Sequence, residues 1–148
     1  MEAQPDFREL LALFNECGVD YMIVGGYALA YHGAPRFTGD LDLWVRPDRG
    51  NADRILVALD RFGFGSLGLK ASDFTEPDNV IQLGFPPVRV DIMTSLTGLT
   101  WDDAAAHRVE GEYGDLRVPF IGRDQFVANK RALGRARDLA DLEAIGEK

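Results

Sequence analysis

Two aspartates one residue apart, Asp40 and Asp42, open an apolar run that continues through Leu43, Trp44 and Val45. Side chains alternate along a strand, so the two carboxylates share one face and Leu41, Leu43 and Val45 take the other. Neighbouring carboxylates repel each other unless a cation lies between them, and ligands made only of oxygen suit Mg²⁺ or Mn²⁺. Upstream, the apolar run Tyr21-Met22-Ile23-Val24 stops at Gly25 and Gly26. A glycine pair between a strand and a helix lets backbone N–H groups approach a phosphate, and the helix N-terminus adds positive potential. The stretch thus offers a phosphate cradle next to a divalent-metal pair. Further on, Asp91 sits among Val88, Val90 and Ile92. A carboxylate inside a β-branched strand needs a counter-charge. Two remain open here: Arg89 on the same strand face, or a metal ion.

These residues need a scaffold, and the periodicity predicts one. Phe7, Leu10, Leu11 and Phe14 recur at helical spacing over 7–17, with Pro5 before them and Gly18 as a stop. A buried strand over 19–24 leads into the glycine pair and a short helix over 27–32. An extended link over 34–38 leads to the second strand, 40–45. Pro47-Asp48 opens another helix, with Ile55, Leu56, Leu59 and Phe62 on one face and Gly63 as its end. The segment 64–69 reads as an edge strand and 70–74 as a helical turn. Strands follow over 79–83 and 88–94 around a turn at Gly84-Phe85-Pro86-Pro87. A helix over 101–109 precedes a hairpin of 108–112 and 115–121 about Tyr113-Gly114. The chain closes with two helices from Arg123 onward, parted near Gly134, the second carrying Leu139, Leu142 and Ile145 at helical spacing. The expected class is α/β (α+β): a mixed β-sheet with helices packed on it.

With 148 residues the chain suits a single domain, divided into a sheet-based core, 1–122, and a C-terminal helical segment, 123–148. The opening carries no basic and apolar leader, and the longest mostly apolar run, 21–34, is too short to span a bilayer. A cytoplasmic protein with no membrane partner is the expectation. Cys17 is the lone cysteine, which excludes an internal disulfide and a cysteine zinc site. His32 and His107 read as packing or surface residues. A formal net charge of −8 argues against nucleic-acid binding by bulk electrostatics. Yet Arg123, Lys130, Arg131, Arg135 and Arg137 fall in one segment whose sole acid is Asp124, so a phosphate-rich ligand is expected there.

Gly25-Gly26 followed by Arg36-x-Thr38-x-Asp40-Leu41-Asp42 resembles the signature of the nucleotidyltransferase superfamily with the DNA polymerase β-like fold. Within it the chain is most similar to the small, minimal AbiEii-like nucleotidyltransferases, a group that includes abortive-infection and toxin–antitoxin enzymes. The resemblance implies a third metal carboxylate on a later strand, a place Asp91 fills. Lys130 and Arg135-Ala136-Arg137-Asp138-Leu139-Ala140-Asp141 are similar to that group's lysine and [Arg/Lys]-Asp-x-x-Asp motifs, which gives Lys130 a nucleotide-phosphate contact and makes Asp138 or Asp141 a required aspartate. The implied activity moves an NMP from an NTP, with ATP a candidate, to a hydroxyl of RNA or tRNA, a protein or a small molecule. Asp40, Asp42 and Asp91 would bind two Mg²⁺ or Mn²⁺ ions. Gly25, Gly26, Lys130, Arg36 and Thr38 would meet the nucleotide, and a cognate antitoxin is a possible partner. Many superfamily members carry a serine after the first glycine; here Gly26 and Tyr27 follow, so the cradle rests on backbone N–H groups. The competing expectation is an inactive nucleotide-, RNA- or protein-binding module on the same fold.

Overall fold

The computed structural model describes residues 3–34 and 39–147; Arg36 and Thr38 lie outside them. Each strand of the sheet is placed by the turn before it. Helix α1 (Pro5–Glu16) is capped by the Gln4 side chain on the Phe7 N–H and buries Phe7, Leu10, Leu11 and Phe14, the face that the helical spacing predicts. Gly18, at φ +71, then turns the chain into β1 (Tyr21–Val24), all of it buried. Helix α2 (Gly25–Tyr31) begins at the glycine pair, and β2 (Asp40–Val45) returns antiparallel to β1. Helix α3 (Arg49–Leu59) is capped by Asp48 on the Asn51 N–H. Strands β3 (Val80–Phe85) and β4 (Val88–Met93) form a hairpin, and β4 runs parallel to β2. After a short α4 (Trp101–Ala105), the hairpin β5 (Val109–Tyr113) and β6 (Leu116–Phe120) joins β1 through a parallel pairing. The single sheet runs β3-β4-β2-β1-β6-β5, a mixed sheet that places β2 between β1 and β4.

Three local expectations need correction. The segment 64–69 is not an edge strand: a wide helical turn over Asp60–Phe64 and a 3₁₀ turn over Gly65–Leu67 fill this region. Gly63 at φ +111 and Gly68 at φ +73 break any extended run there, because such backbone angles suit glycine and end regular pairing. Strand β3 extends two residues beyond 79–83, through Gly84 to Phe85, since Pro86-Pro87 alone makes the turn. Helix α4 stops at Ala105, well short of 109, as Val109 is taken into the ladder with Phe120.

The C-terminal helices α5 (Arg123–Leu133) and α6 (Ala136–Ala144) are parted by Gly134 in the left-handed region, φ +64. Helix α6 does not bury all three of its apolar positions: Leu142 and Ile145 are inside, but Leu139 is 50% exposed. The inward face instead carries Asp138 and Asp141, both buried. Carboxylates cannot enter a core without partners, and the partners supply the first functional clue.

Candidate active site

Alternation and register bring three of the sequence-predicted residues to one end of the sheet. Asp42 stands between Val24 of β1 and Asp91 of β4, while Asp40 pairs with Arg89. Asp40, Asp42, Arg89 and Asp91 therefore share a face at the end where β1 finishes and β2 and β4 begin. Deeper on that face it closes: Trp44 is buried, with its ring edge-on to Trp101 of α4 at 5.3 Å. The carboxylates thus sit at the mouth of a surface that is apolar below them.

Gly25 completes the wall. At φ +68, a Cβ added there would lie 2.1 Å from Asp42 Oδ2. The absent side chain is the space the carboxylate occupies, and the left-handed backbone suits glycine alone. Gly26 follows as the second residue of α2. The first turn of the helix and Asp42 are therefore in contact through a missing methyl group.

Burial first, and then the charges of Asp91 and Asp40, push the Asp42 carboxyl up to about 7; Arg89 and Lys130 pull it the other way. Excess negative charge has collected on this face. Part of it is answered by Arg89, whose Nε and Nη2 donate to the two oxygens of Asp91 at 3.1 and 3.0 Å, and whose Nε lies 3.8 Å from Asp40 Oδ2. Of the two counter-charges open for Asp91 in the sequence, the structure contains the arginine. Among the described residues no three His, Cys, Asp or Glu side chains form a ready-made ion cage. The donor set nevertheless fits an oxygen-preferring divalent ion: two carboxylates are register partners, and the set already grips a cationic group.

Lys130 reaches the same electrostatic neighbourhood from α5, since its charge is felt at Asp42. Its ammonium lies 3.1 Å from Asp141 Oδ2 and 3.5 Å from Asp138 Oδ1, with a side chain only 14% exposed. Arg135 donates from Nε to Asp138 at 2.6 Å and holds that carboxyl down to about 2. The buried acids of α6 are thus the partners of Lys130 and Arg135. An ammonium has three donors, so two carboxylates do not exhaust it.

The basic segment is accordingly less available than its sequence implies. Arg123 donates to the carbonyls of Ile145 and His32 and pairs with Glu147, which also pairs with Arg131. The sequence places one acid inside the segment, but the fold brings Asp138, Asp141 and Glu147 onto it from α6 and beyond. His32 is a packing residue, its Nε2 2.7 Å from the Ile121 carbonyl. One neighbour is not singled out by sequence pattern: Gln82, exposed on β3 and directly opposite Asp91. The two-residue period on either side of Pro86-Pro87 is the signal that could have placed it there.

No protein-family model matches the chain, and no curated protein matches its sequence. Solved structures do. A Thermotoga maritima protein provisionally described as a nucleotidyltransferase is 17% identical and superposes with a TM-score of 0.65, over 95% of this chain and 92% of that one. The lincosamide antibiotic adenylyltransferase LnuA, with lincomycin bound, is 13% identical with a TM-score of 0.57, over 97% and 96% of the two chains. At these identities the likeness shows the fold, and the fold is that of nucleotidyltransferases. Among the described residues no helix is long and apolar enough to cross a membrane.

Proposed function

We propose that this chain, with the fold of the nucleotidyltransferases, transfers an NMP from an NTP to a hydroxyl acceptor and releases pyrophosphate. The observation that carries the reading is the register pair Asp42–Asp91, with Asp40 on the same face and Gly25 shaped around the Asp42 carboxylate. Asp40, Asp42 and Asp91 would hold Mg²⁺ or Mn²⁺, which when bound supplies Lewis-acid activation of the hydroxyl and neutralises phosphate charge. Gly25 and Gly26 offer backbone N–H groups toward the phosphates. Lys130, held by Asp138 and Asp141, adds a fixed positive charge on the triphosphate side. The unit is one catalytic domain, a core of 1–122 with the helical segment 123–148 bringing the lysine, at work in the cytoplasm.

The acceptor we favour is a small hydroxyl-bearing molecule. Most of the basic segment is engaged by Asp138, Asp141 and Glu147, which leaves a chain of net charge −8 poorly suited to RNA. The AbiEii-like resemblance supports a second reading, a toxin–antitoxin enzyme that modifies RNA in the presence of an antitoxin protein. Incubating the protein with each α-labelled NTP, Mg²⁺ and either total RNA or a small-molecule extract separates the two. Label is expected in the small-molecule fraction and absent with Asp40→Asn. Label in RNA supports the toxin reading. No label with any NTP in either fraction sinks the transfer reading and returns the fold to a binding module.

Lys130→Ala is expected to weaken NTP binding in Mg²⁺ by roughly 1.5–3 kcal/mol, the scale of a charge-assisted contact. Lys130→Arg should not restore it, because a planar fork does not fit between Asp138 and Asp141 as a compact ammonium does. Calorimetric titration with unchanged affinity in the alanine variant would reduce Lys130 to a structural partner of α6.

A further inference from the structure

Arg89 is placed to do more than neutralise a strand. Its guanidinium covers both oxygens of Asp91, at 3.1 and 3.0 Å, and lies within 3.8 Å of Asp40. Each Asp91 oxygen accepts one of its N–H groups and keeps a second lone pair, but a divalent ion ligated there would sit beside the positive guanidinium and be opposed by it. Room for withdrawal is built into the sheet. The residue opposite Arg89 on β3 is Gly84, which brings no side chain, and the β3 side chain opposite Asp91 is the exposed Gln82. The Arg89 side chain is 31% exposed and that of Asp91 is 12% exposed: the arginine has a path outward, and the carboxylate stays behind. Folding does not need this pairing to complete the ladder, because β4 is hydrogen-bonded on both sides, to β2 and to β3.

We propose that Arg89 is a displaceable internal cation: it holds Asp91 in the metal-free protein, competes there with a divalent ion, and on displacement turns to the phosphates of the bound nucleotide. The proposal rests on the reading of Asp40, Asp42 and Asp91 as metal carboxylates. The chemistry suits both states, since a guanidinium pairs in bidentate fashion with carboxylate and with phosphate alike. Displaced without a nucleotide, the guanidinium exchanges its carboxylate partner for water alone, whereas the nucleotide gives it a new charged partner. Metal and nucleotide should therefore bind with positive coupling.

The test is a titration of wild type and Arg89→Gln with Mn²⁺ alone, followed at saturating Mn²⁺ by whichever of ATP, GTP, CTP and UTP binds wild type. Removing the competitor should tighten Mn²⁺ binding by about tenfold or more, within the usual range of coupling between sites. It should weaken nucleotide binding by a similar factor. These opposite signs are the signature, because a merely structural arginine would weaken both or neither. Equal or weaker Mn²⁺ binding in Arg89→Gln overturns the proposal, as does unchanged nucleotide affinity. Should Arg89→Gln fail to fold, Arg89→Lys keeps the charge but cannot cover both oxygens. It is expected to bind Mn²⁺ more tightly than wild type, and wild-type or weaker Mn²⁺ affinity would overturn the proposal equally. An Asp42→Asn control separates the two levels of failure. If Mn²⁺ binds, is lost with Asp42→Asn, and ignores Arg89, only the displaceable cation fails. If no variant binds Mn²⁺ in a way that depends on Asp42, the metal-carboxylate reading fails with it.

Discussion

In EDTA at pH 8, Asp42→Asn is expected to melt several degrees higher than wild type, and the gap is expected to narrow as the pH falls toward 5. The Asp42 carboxyl is pushed from an ordinary 3.8 up to about 7, by burial first and then by Asp91 and Asp40. Between those values the folded protein binds more protons than the unfolded chain, so stability falls as pH rises through the window. Below about pH 4 the group is protonated in both states and costs nothing; above about pH 7 the penalty is complete. A span of about three units sets a ceiling of roughly 4 kcal/mol, and Arg89 or Lys130 relaxing toward the charge will lower the realised value. An asparagine keeps the shape, removes the charge, and can donate its amide to Asp91. Asp138 does not confuse the window: its carboxyl, held at about 2 by Arg135, contributes stability that is lost only as pH falls below the ordinary carboxyl range. Thermal melts across pH 5–8 read this directly. A variant that melts lower than wild type at pH 8 would mean that Asp42 is a stabilising acceptor and not a destabilised site.

Gly25→Ala is expected to abolish nucleotide binding and to destabilise the fold, for two separable reasons. A non-glycine residue at φ +68 carries a backbone cost of about 1–3 kcal/mol. The added Cβ would also meet Asp42 Oδ2 at 2.1 Å and Cγ at 2.9 Å, so the carboxylate must leave its place beside Asp91. A double-mutant cycle distinguishes the two causes. In an Asp42→Ala background the clash with the carboxylate is removed, while the backbone cost and the 3.0 Å approach to the Cβ of residue 42 remain, so Gly25→Ala should be less damaging there than in wild type. Equal destabilisation in both backgrounds would mean that the close approach of Gly25 and Asp42 has no energetic consequence.

What could be read from the sequence follows from how local its causes are. The strand alternation that puts Asp40 and Asp42 on one face, and Arg89 and Asp91 on another strand's matching face, is a property of the chain itself. So are the glycines that end β1 and part α5 from α6. The side-by-side placement of Asp42 and Asp91 depends on a parallel pairing between strands 49 positions apart, which no local pattern encodes; the family resemblance supplied that third carboxylate. The C-terminal segment is less open than it reads in the sequence, for the same reason. Arg123, Lys130, Arg131 and Arg135 look like an open basic patch in one dimension, but α6 folds Asp138 and Asp141 back onto Lys130 and Arg135, and Glu147 onto Arg123 and Arg131. Leu139, one of three apolar residues at helical spacing, is half exposed, because the ion cluster takes the inward face. The segment 64–69 defeated the strand reading because Gly63 and Gly68 both take left-handed backbone angles, a conformational fact that composition only hints at.

Whether Asp40, Asp42 and Asp91 hold a divalent ion for a nucleotide is decided by a pair of melting curves, without knowledge of the acceptor. Wild type and Asp42→Asn are melted at pH 8 in EDTA, and again with Mg²⁺ and each NTP in turn. Ligand that binds only the folded state stabilises by mass action, about 2.7 kcal/mol at a hundredfold excess over Kd. At least one NTP with Mg²⁺ is expected to raise the wild-type melting temperature by several degrees, and Asp42→Asn to lose most of that rise. A wild type indifferent to Mg²⁺ with all four nucleotides, or an Asp42→Asn variant stabilised as fully as wild type, would contradict that assignment.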